Sequence, residues 1–351
     1  MLKLLKIIVS IVYGAAVAIR NKLYDIKVFH SKEINNVVTI AFGNLTVGGT
    51  GKTPHSEFML NVLKNEFKIA LLSRGYKRKT KKFGYVETTS TVGEVGDEPL
   101  QIKRKFPDTI VAVDADRIRG IKRIKKDHPD VDVVVLDDAF QHRRLNPTLS
   151  ILLCDYWRPI HKDRMLPWGT LRDSKNQTYR ANIVIVTKCP PNIAPIDIRI
   201  ITNDLKLMPF QRLFFTTFEY EDLKPFFDNH VPAKTNKISA VAGIANPRLF
   251  EEYISEKYVK PQMLTFADHH NFSKTDMNNI CKLIDNSELF ITTEKDAMRL
   301  MSYKNFTPQQ KAKMFYLPVK VKFLNTNKEN DINAYVINYI KKYKQNLMLY
   351  L

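Results

Sequence analysis

The stretch Val47-Gly48-Gly49-Thr50-Gly51-Lys52-Thr53-Pro54 carries the residue types that grip a phosphate. Glycines let backbone N–H groups turn inward around an anion. A lysine directly after the last glycine can reach terminal phosphates, and the next hydroxyl can bind Mg²⁺. Pro54 suits the first turn of a helix, where its missing N–H costs nothing. The usual spacing puts a glycine five residues before Gly51; Thr46 stands there, and Gly48 and Gly49 provide the flexibility. About 85 residues downstream, the apolar run 131–136 ends in Asp137-Asp138. Carboxylates at the end of a strand hold Mg²⁺ or its waters opposite such a Lys-Thr pair. Gln141, His142 and Arg143 follow in the turn and could line the same cleft.

Other candidate groups are scattered along the chain. Val95-Gly96-Asp97-Glu98-Pro99 puts two acids at a helix start, where they suit capping or acceptance of a hydroxyl proton. Asp114, Asp116, Arg117 and Arg119 follow an apolar run at 110–113. Residues 164–173 form a long loop with Trp168 and Arg172, and loops of this kind are often functional. Asp268-His269-His270 offers adjacent imidazoles, which on an extended segment point opposite ways and so do not chelate together. Cys154, Cys189 and Cys281 lack metal-ligand spacing and form no disulfide framework.

These groups need elements to hold them. The run 37–42 before the glycine loop reads as a strand, and 55–63 after it reads as a helix, which is the context a P-loop requires. Further strands at 69–72, 110–113, 131–136, 149–153 and 183–186 alternate with helical stretches, which predicts a parallel sheet covered on both faces. Strand character at 211–220 and 314–323 brackets a second α/β unit. The expected fold is therefore α/β: a P-loop NTPase-like parallel sheet covered by helices, with a smaller second α/β lobe joined by a two-strand hinge. The expected boundaries are a membrane-interfacial helix at 1–22, the P-loop core at 23–210 and a hinge strand and linker at 211–235. The smaller lobe spans 236–312, and a return strand and last helix span 313–351.

The chain of 351 residues is 44% hydrophobic and 26% charged, which is a globular composition. Its formal charge of +19 calls for an anionic partner. No aromatic-basic reading surface or DNA-binding motif supports nucleic acid. The apolar core of the N-terminal stretch, residues 7–19, is 13 residues long. That is shorter than the roughly 20 needed to cross a bilayer. With Lys3, Lys6, Arg20 and Lys22 flanking it, it reads as a helix lying in an anionic membrane surface. The basic run 77–82 holds five cations in six residues and follows a strand end, where open α/β sheets bind ligands.

Taken together, the motifs resemble those of the tetraacyldisaccharide 4'-kinases of lipid A biosynthesis. The residues that carry the resemblance are Gly43-Asn44-Leu45-Thr46 with the glycine loop through Pro54, then Ser73-Arg74-Gly75-Tyr76 and Val95-Gly96-Asp97-Glu98-Pro99. Leu136-Asp137-Asp138-Ala139-Phe140-Gln141-His142, Leu166-Pro167 with Leu171-Arg172, Asp268-His269 and Thr293-Glu294-Lys295-Asp296 complete the series. Thr46 in place of the first glycine is itself a trait of that family.

The resemblance implies phosphoryl transfer from ATP, with Mg²⁺, to the 4'-hydroxyl of a lipid A disaccharide 1-phosphate precursor. It implies peripheral, monotopic attachment to the cytoplasmic face of the bacterial inner membrane. Lys52, Asp97 and His269 match the catalytic positions, and residues 47–54 the nucleotide cradle. Thr53, Asp137 and Asp138 match the metal positions. Asn44, Arg74, Tyr76, Glu98, Arg117, Gln141, His142 and Arg172 are the candidate substrate contacts. A P-loop ATPase that switches partners shares the loop, but not the need for Asp97, His269 and a lipid acceptor.

Overall fold

The computed structural model describes residues 2–227, 235–268, 270–324 and 331–349. Helix α1 (Leu2–Asp25) leads to strand β1 (Val38–Asn44), the glycine loop and α2 (Lys52–Leu63). Next come β2 (Ile69–Ser73), β3 (Gly84–Tyr85), α3 (Val92–Val95), α4 (Asp97–Lys105), β4 (Ile110–Val113), α5 (Arg117–Asp127) and β5 (Val133–Leu136). They are followed by β6 (Leu149–Asp155), β7 (Ile183–Thr187), α6 (Pro195–Leu205) and β8 (Arg212–Tyr220). A second group comprises β9 (Lys224–Pro225), β10 (Ile238–Ala242), α7 (Arg248–Lys257), β11 (Gln262–Thr265), α8 (Lys274–Asp285), β12 (Leu289–Thr293), α9 (Glu294–Leu300), α10 (Pro308–Ala312) and β13 (Met314–Leu317). The chain returns through β14 (Val319–Phe323) to α11 (Ile332–Leu349).

Among the described residues the strands form two sheets. The larger has the order β14-β8-β7-β6-β1-β5-β2-β4-β3, and the smaller β11-β10-β12-β13-β9. Continuous Val, Ile and Leu runs in β1, β2, β5, β6 and β7 are buried along their whole length. Such runs suit a parallel sheet with both faces covered. The larger sheet is parallel from β8 to β4, with antiparallel β14 and β3 at its edges. On one face Leu60 and Leu63 of α2 and Val336 and Ile340 of α11 pack on Ile40, Phe42 and Leu71. On the other, α5 and α6 complete two further clusters.

β1 lies at the centre, between β5 and β6. Its Ala41 is in register with Leu136 of β5, which brings Asp137 beside the start of the glycine loop. Gly43 permits this closeness: a Cβ there would lie 2.4 Å from the Phe140 Cβ.

The structure departs from expectation in one expected strand and one strand that was not expected. The strand expected over 314–323 is broken at Pro318, which has no N–H for a ladder. β13 belongs to the smaller sheet and β14 to the larger, so the return crossing occurs at that proline. Its partner crossing is the turn after β8, where the Glu221 N–H donates to the Pro318 carbonyl at 3.0 Å. β11 is an edge strand with half-exposed residues, and it lacks the apolar run that would reveal it.

α1 is amphipathic in the inverse sense. Its buried side chains include Ser10 and Asn21, while Leu4, Leu5, Ile8, Val9, Ile11, Val12 and Ile19 are exposed. The Ser10 hydroxyl donates to the Met165 carbonyl at 2.7 Å and the Tyr13 hydroxyl to the Arg172 carbonyl at 2.9 Å. Asn21 donates to Asp173 at 2.7 Å. Residues 3–25 are long and apolar enough to cross a membrane by length and composition, yet the polar stripe of the helix is laid along the loops around the cleft.

His55 of α2 ties the glycine loop to β8. Its Nδ1 lies 2.7 Å from the Gly51 carbonyl, so Nδ1 carries the proton, and Nε2 lies 3.1 Å from the Thr216 hydroxyl. Burial lowers its pKa to about 4. In the unfolded chain the group protonates near pH 6.5, as free histidine does. The unfolded state thus binds one more proton between these values, and stability rises with pH across that window. Denaturant unfolding between pH 7 and pH 4 is expected to show a loss of about 3 kcal/mol from this group. His55→Asn should flatten that part of the pH dependence.

Candidate active site

The two sheets face each other across a cleft of about 440 Å³. Its floor is the glycine loop. Gly51 has φ +85°, and a Cβ there would meet Phe218 at 2.6 Å, so only glycine fits the turn into α2. The adjoining loop is stitched on by the Val47 N–H, which donates to the Thr170 carbonyl at 2.8 Å. Lys188, at the end of β7, braces the loop from behind. Its ammonium donates to the Gly49 carbonyl and, at 2.8 Å, to Asp155.

Lys52 points along the cleft, 3.4 Å from Asn44 Oδ1 and 3.8 Å from Asp138 Oδ1. Arg172 forks onto the same pair: it donates to both Asp138 oxygens and to Asn44 Oδ1. Burial alone would raise the Asp138 pKa, but Lys52 and Arg172 hold the carboxyl far below its ordinary value. Asp137 is the opposite case. It is fully enclosed, and burial, Glu98 and Asp138 push its pKa up. Its Oδ1 has no hydrogen-bond partner among the described residues. Two neighbouring carboxyl groups with opposed affinities for a proton thus sit at one strand end.

Asp97 is not among the residues that line the cleft and sits in an enclosed contact with the smaller lobe; the other expected site residues fall into three groups. Val47 to Pro54, Arg74, Tyr76, Glu98, Asp137, Asp138 and Arg172 line the cleft. Asn44, Arg117, Gln141 and His142 lie behind it. Arg117 is buried and donates to the carbonyls of Asp114 at 2.7 Å, Asp137 at 3.1 Å and Asp138 at 3.4 Å. It shapes the turn that carries the two acids. The Gln141 side chain donates to the Asn44 carbonyl, and the Gln141 backbone carbonyl accepts from Arg20 of α1 at 2.7 Å. His142 is held neutral, its pKa lowered to about 4 by burial and by Arg117. His269 lies outside the described residues. In the basic run 77–82, Arg78 is turned back and donates to the Lys82 carbonyl at 2.7 Å.

Asp97 opens α4 after Gly96, whose φ is +95°. The helix meets α9 of the smaller lobe through acid–base pairs that sequence reading left unassigned. Arg299 donates to Asp97 Oδ2 from Nε at 3.1 Å and also from Nη2. Lys295 donates to Glu98 at 3.2 Å and to Asp268 at 3.1 Å. Lys105 bridges Glu57 of α2 at 2.7 Å and Glu294 of α9 at 3.3 Å. Burial pulls the Lys295 pKa down, but Glu98, Asp268 and Asp97 outweigh it and hold it above its ordinary value. The partners in these pairs come from distant parts of the sequence, so no local spacing announces them. The run Thr293-Glu294-Lys295-Asp296 was the one local signal.

Residues 2–338 match the family model described as Tetraacyldisaccharide-1-P 4'-kinase. The chain belongs to that family. A tetraacyldisaccharide 4'-kinase of Phocaeicola vulgatus is 41% identical over 350 residues, covering 96% of this chain and 95% of that protein. One from Bacteroides fragilis is 43% identical over 351 residues, covering 96% and 93%. Among solved structures, LpxK from Aquifex aeolicus in complex with ATP superimposes with a TM-score of 0.74 at 27% identity. That match covers 97% of this chain and 100% of the other. The chain is accordingly a kinase of lipid A biosynthesis that phosphorylates the 4'-hydroxyl of a tetraacyldisaccharide 1-phosphate.

The bridge made by Lys105 has a measurable consequence. Lys105→Met leaves Glu57 and Glu294 buried side by side with no cation between them. A broken buried pair of this kind costs about 3–5 kcal/mol. Burial and Glu294 already raise the Glu57 pKa to about 7. The variant is therefore expected to lose stability most above neutral pH and to regain part of it near pH 5, as followed by urea denaturation.

Proposed function

We propose that the cleft takes ATP along the glycine loop and brings the lipid hydroxyl to the N-terminal end of α4. The observation that carries this reading is the convergence of Lys52, Asp138 and Arg172 from the larger lobe on the cleft that Glu98, in the first turn of α4 next to Asp97, also lines. The backbone N–H groups of residues 48–53 and the start of α2 cradle the phosphates. Lys52 and Arg172 neutralise charge on the transferring group, the main task of a phosphoryl-transfer protein. In the structure both are engaged with Asp138, so the incoming phosphates compete for cations that the carboxylate holds in place.

Magnesium fits this donor set, because Asp137 Oδ1 is buried without a partner beside Asp138 and the Thr53 hydroxyl belongs to the same loop. Thr53 and Asp138 would hold it, with Asp137 behind them, and it would offset charge on the phosphate oxygens. Such a small donor set suits an ion that also takes ligands from substrate phosphates and water.

Asp97 orients the sugar hydroxyl and receives its proton late in the transfer, and His269 tunes or relays that proton. Arg74, Tyr76 and Glu98 line the acceptor side of the cleft, and Asn44, Arg117, Gln141 and His142 support it from behind. The outward apolar face of α1 rests in the cytoplasmic leaflet of the inner membrane, where the net positive charge favours anionic lipid. Functionally, 1–22 anchors, 23–210 binds nucleotide, and the smaller lobe, 236–312 together with β9 and β13, closes over the cleft on the crossings after β8 and before β14.

Three outcomes test this reading. Protein in detergent with γ-labelled ATP and a lipid A disaccharide 1-phosphate precursor should place label in the lipid, dependent on Mg²⁺ and Lys52. ATP hydrolysis indifferent to the lipid would argue for an ATPase switch instead. Asp97→Asn should lower kcat by about 10²–10⁴-fold while ATP still binds. Ile8→Glu combined with Ile11→Glu and Val12→Glu should abolish sedimentation with anionic vesicles while detergent-based activity persists. Continued sedimentation would place the anchor elsewhere.

A further inference from the structure

We infer that Arg299 is a positioning residue for phosphoryl acceptance: anchored in the smaller lobe, its guanidinium sets the plane of the Asp97 carboxylate across the enclosed seam between α9 and α4. The inference rests on the reading of Asp97 as the group that orients the acceptor hydroxyl.

The geometry has two ends. At one end Nε and Nη2 both donate to Asp97 Oδ2, while Asp97 Oδ1 accepts the Glu98 N–H at 3.0 Å. A carboxylate gripped at one oxygen by a planar fork and at the other by its own helix has little rotational freedom. At the other end Arg299 Nη1 donates to Asp296 Oδ1 at 3.0 Å. Asp296 is itself immobilised, because its Oδ2 accepts the Gly243 N–H at 2.7 Å and the Thr293 hydroxyl at 2.6 Å. There is no slack in this anchor: a Cβ on Gly243 would come within 2.8 Å of Asp296 Oδ1.

The chain of contacts runs from the end of β10, through Asp296 and Arg299 of α9, to Asp97 of α4. Asp97 and Arg299 are 202 residues apart in sequence. Their side chains are 6% and 8% exposed. A buried ion pair is weak reason for stability, since apolar residues of similar volume often serve as well. Its positional information is what apolar residues would not supply. The orientation of Asp97 is therefore complete only when the lobe carrying α9 sits against α4, which couples lobe placement to acceptor alignment.

The pair also selects between two roles for Asp97. A carboxylate facing a guanidinium is a poor proton acceptor in the ground state and a good fixed hydrogen-bond acceptor for a hydroxyl. That suits a loose transition state, in which the hydroxyl proton leaves late.

The test is a double-mutant cycle on kcat and KM, using purified full-length protein in detergent, γ-labelled ATP and the lipid disaccharide acceptor, with thermal unfolding measured in parallel. Arg299→Met is expected to lower kcat about 10²-fold, the size of effect that misplacement of a reacting group produces. The KM for ATP should stay within about threefold, since the loss concerns alignment and not uniform binding. Arg299→Lys keeps the charge without the fork and should recover part of kcat, remaining about tenfold below the wild type. In the Asp97→Asn background, Arg299→Met should change kcat by less than about twofold, because the residue acts through Asp97.

Multiplicative losses in the double variant would overturn the inference. So would a kcat that falls only in proportion to the folded fraction. Should Arg299→Met fail to fold, Arg299→Lys alone and with Asp97→Asn decides on the same criteria. An inactive Asp97→Asn alongside Arg299 variants that keep the wild-type kcat sinks this inference and spares the role of Asp97. A fully active Asp97→Asn sinks both.

Discussion

A carboxylate removed from water must be met by a cation, and along the seam between α4 and α9 this requirement recurs at every turn. Asp97 is met by Arg299, Glu98 by Lys295, and Glu57 with Glu294 by Lys105. Asp97, Arg299 and Glu57 are nearly enclosed and Glu98 with Lys295 is half-buried, so a displacement of either helix would leave an uncompensated charge. Because Glu57 belongs to α2, the helix that begins at Lys52, the seam also registers the nucleotide loop. Helices α2, α4 and α9 of the two lobes are thus fastened by electrostatics that tolerate few intermediate positions.

The larger sheet supplies the rigid side of this arrangement. β1 is its central strand, and both neighbours contribute to the floor of the cleft: β5 through Asp137 and Asp138, β6 through Asp155 beneath Lys188. Charge is sorted over a few ångströms there. Asp138 is kept ionised by the cations around it, while Asp137 is pushed towards its neutral form by enclosure. On the rim, α1 turns polar side chains to the protein and aliphatic ones away from it, so the loop carrying Arg172 is fastened to the same helix that presents the apolar face.

The sequence reveals what is local. The glycine loop, the strand before it, the helix after it and the Asp137-Asp138 strand end are contiguous patterns with known periods, and the parallel sheet follows from apolar runs at regular spacing. The family resemblance rests on the same short motifs. Side-chain partnerships formed across the cleft have no such signature. Nothing near Asp97 in sequence points to Arg299, and Lys105 reads as one more cation on the surface of a basic helix. Arg117 looks like a substrate contact because arginine near a strand end usually is one, yet its guanidinium is occupied by three carbonyls. The break at Pro318 was visible as a proline, but its meaning depends on which sheet each half joins.

The crossing at Pro318 belongs to an insertion that fixes the order in which the larger sheet can be completed. The smaller sheet is inserted between β8 and β14, which are antiparallel partners at the edge of the larger one. The ribosome must therefore synthesise the whole insertion before that edge can close. Ile332, Val336 and Ile340 of α11 arrive later still, although they cover the same hydrophobic cluster as α2. Until then the nascent larger lobe displays an unpaired strand and an uncovered apolar face. Vectorial synthesis thus hands chaperones and proteases an incomplete nucleotide-binding lobe until its last helix is made.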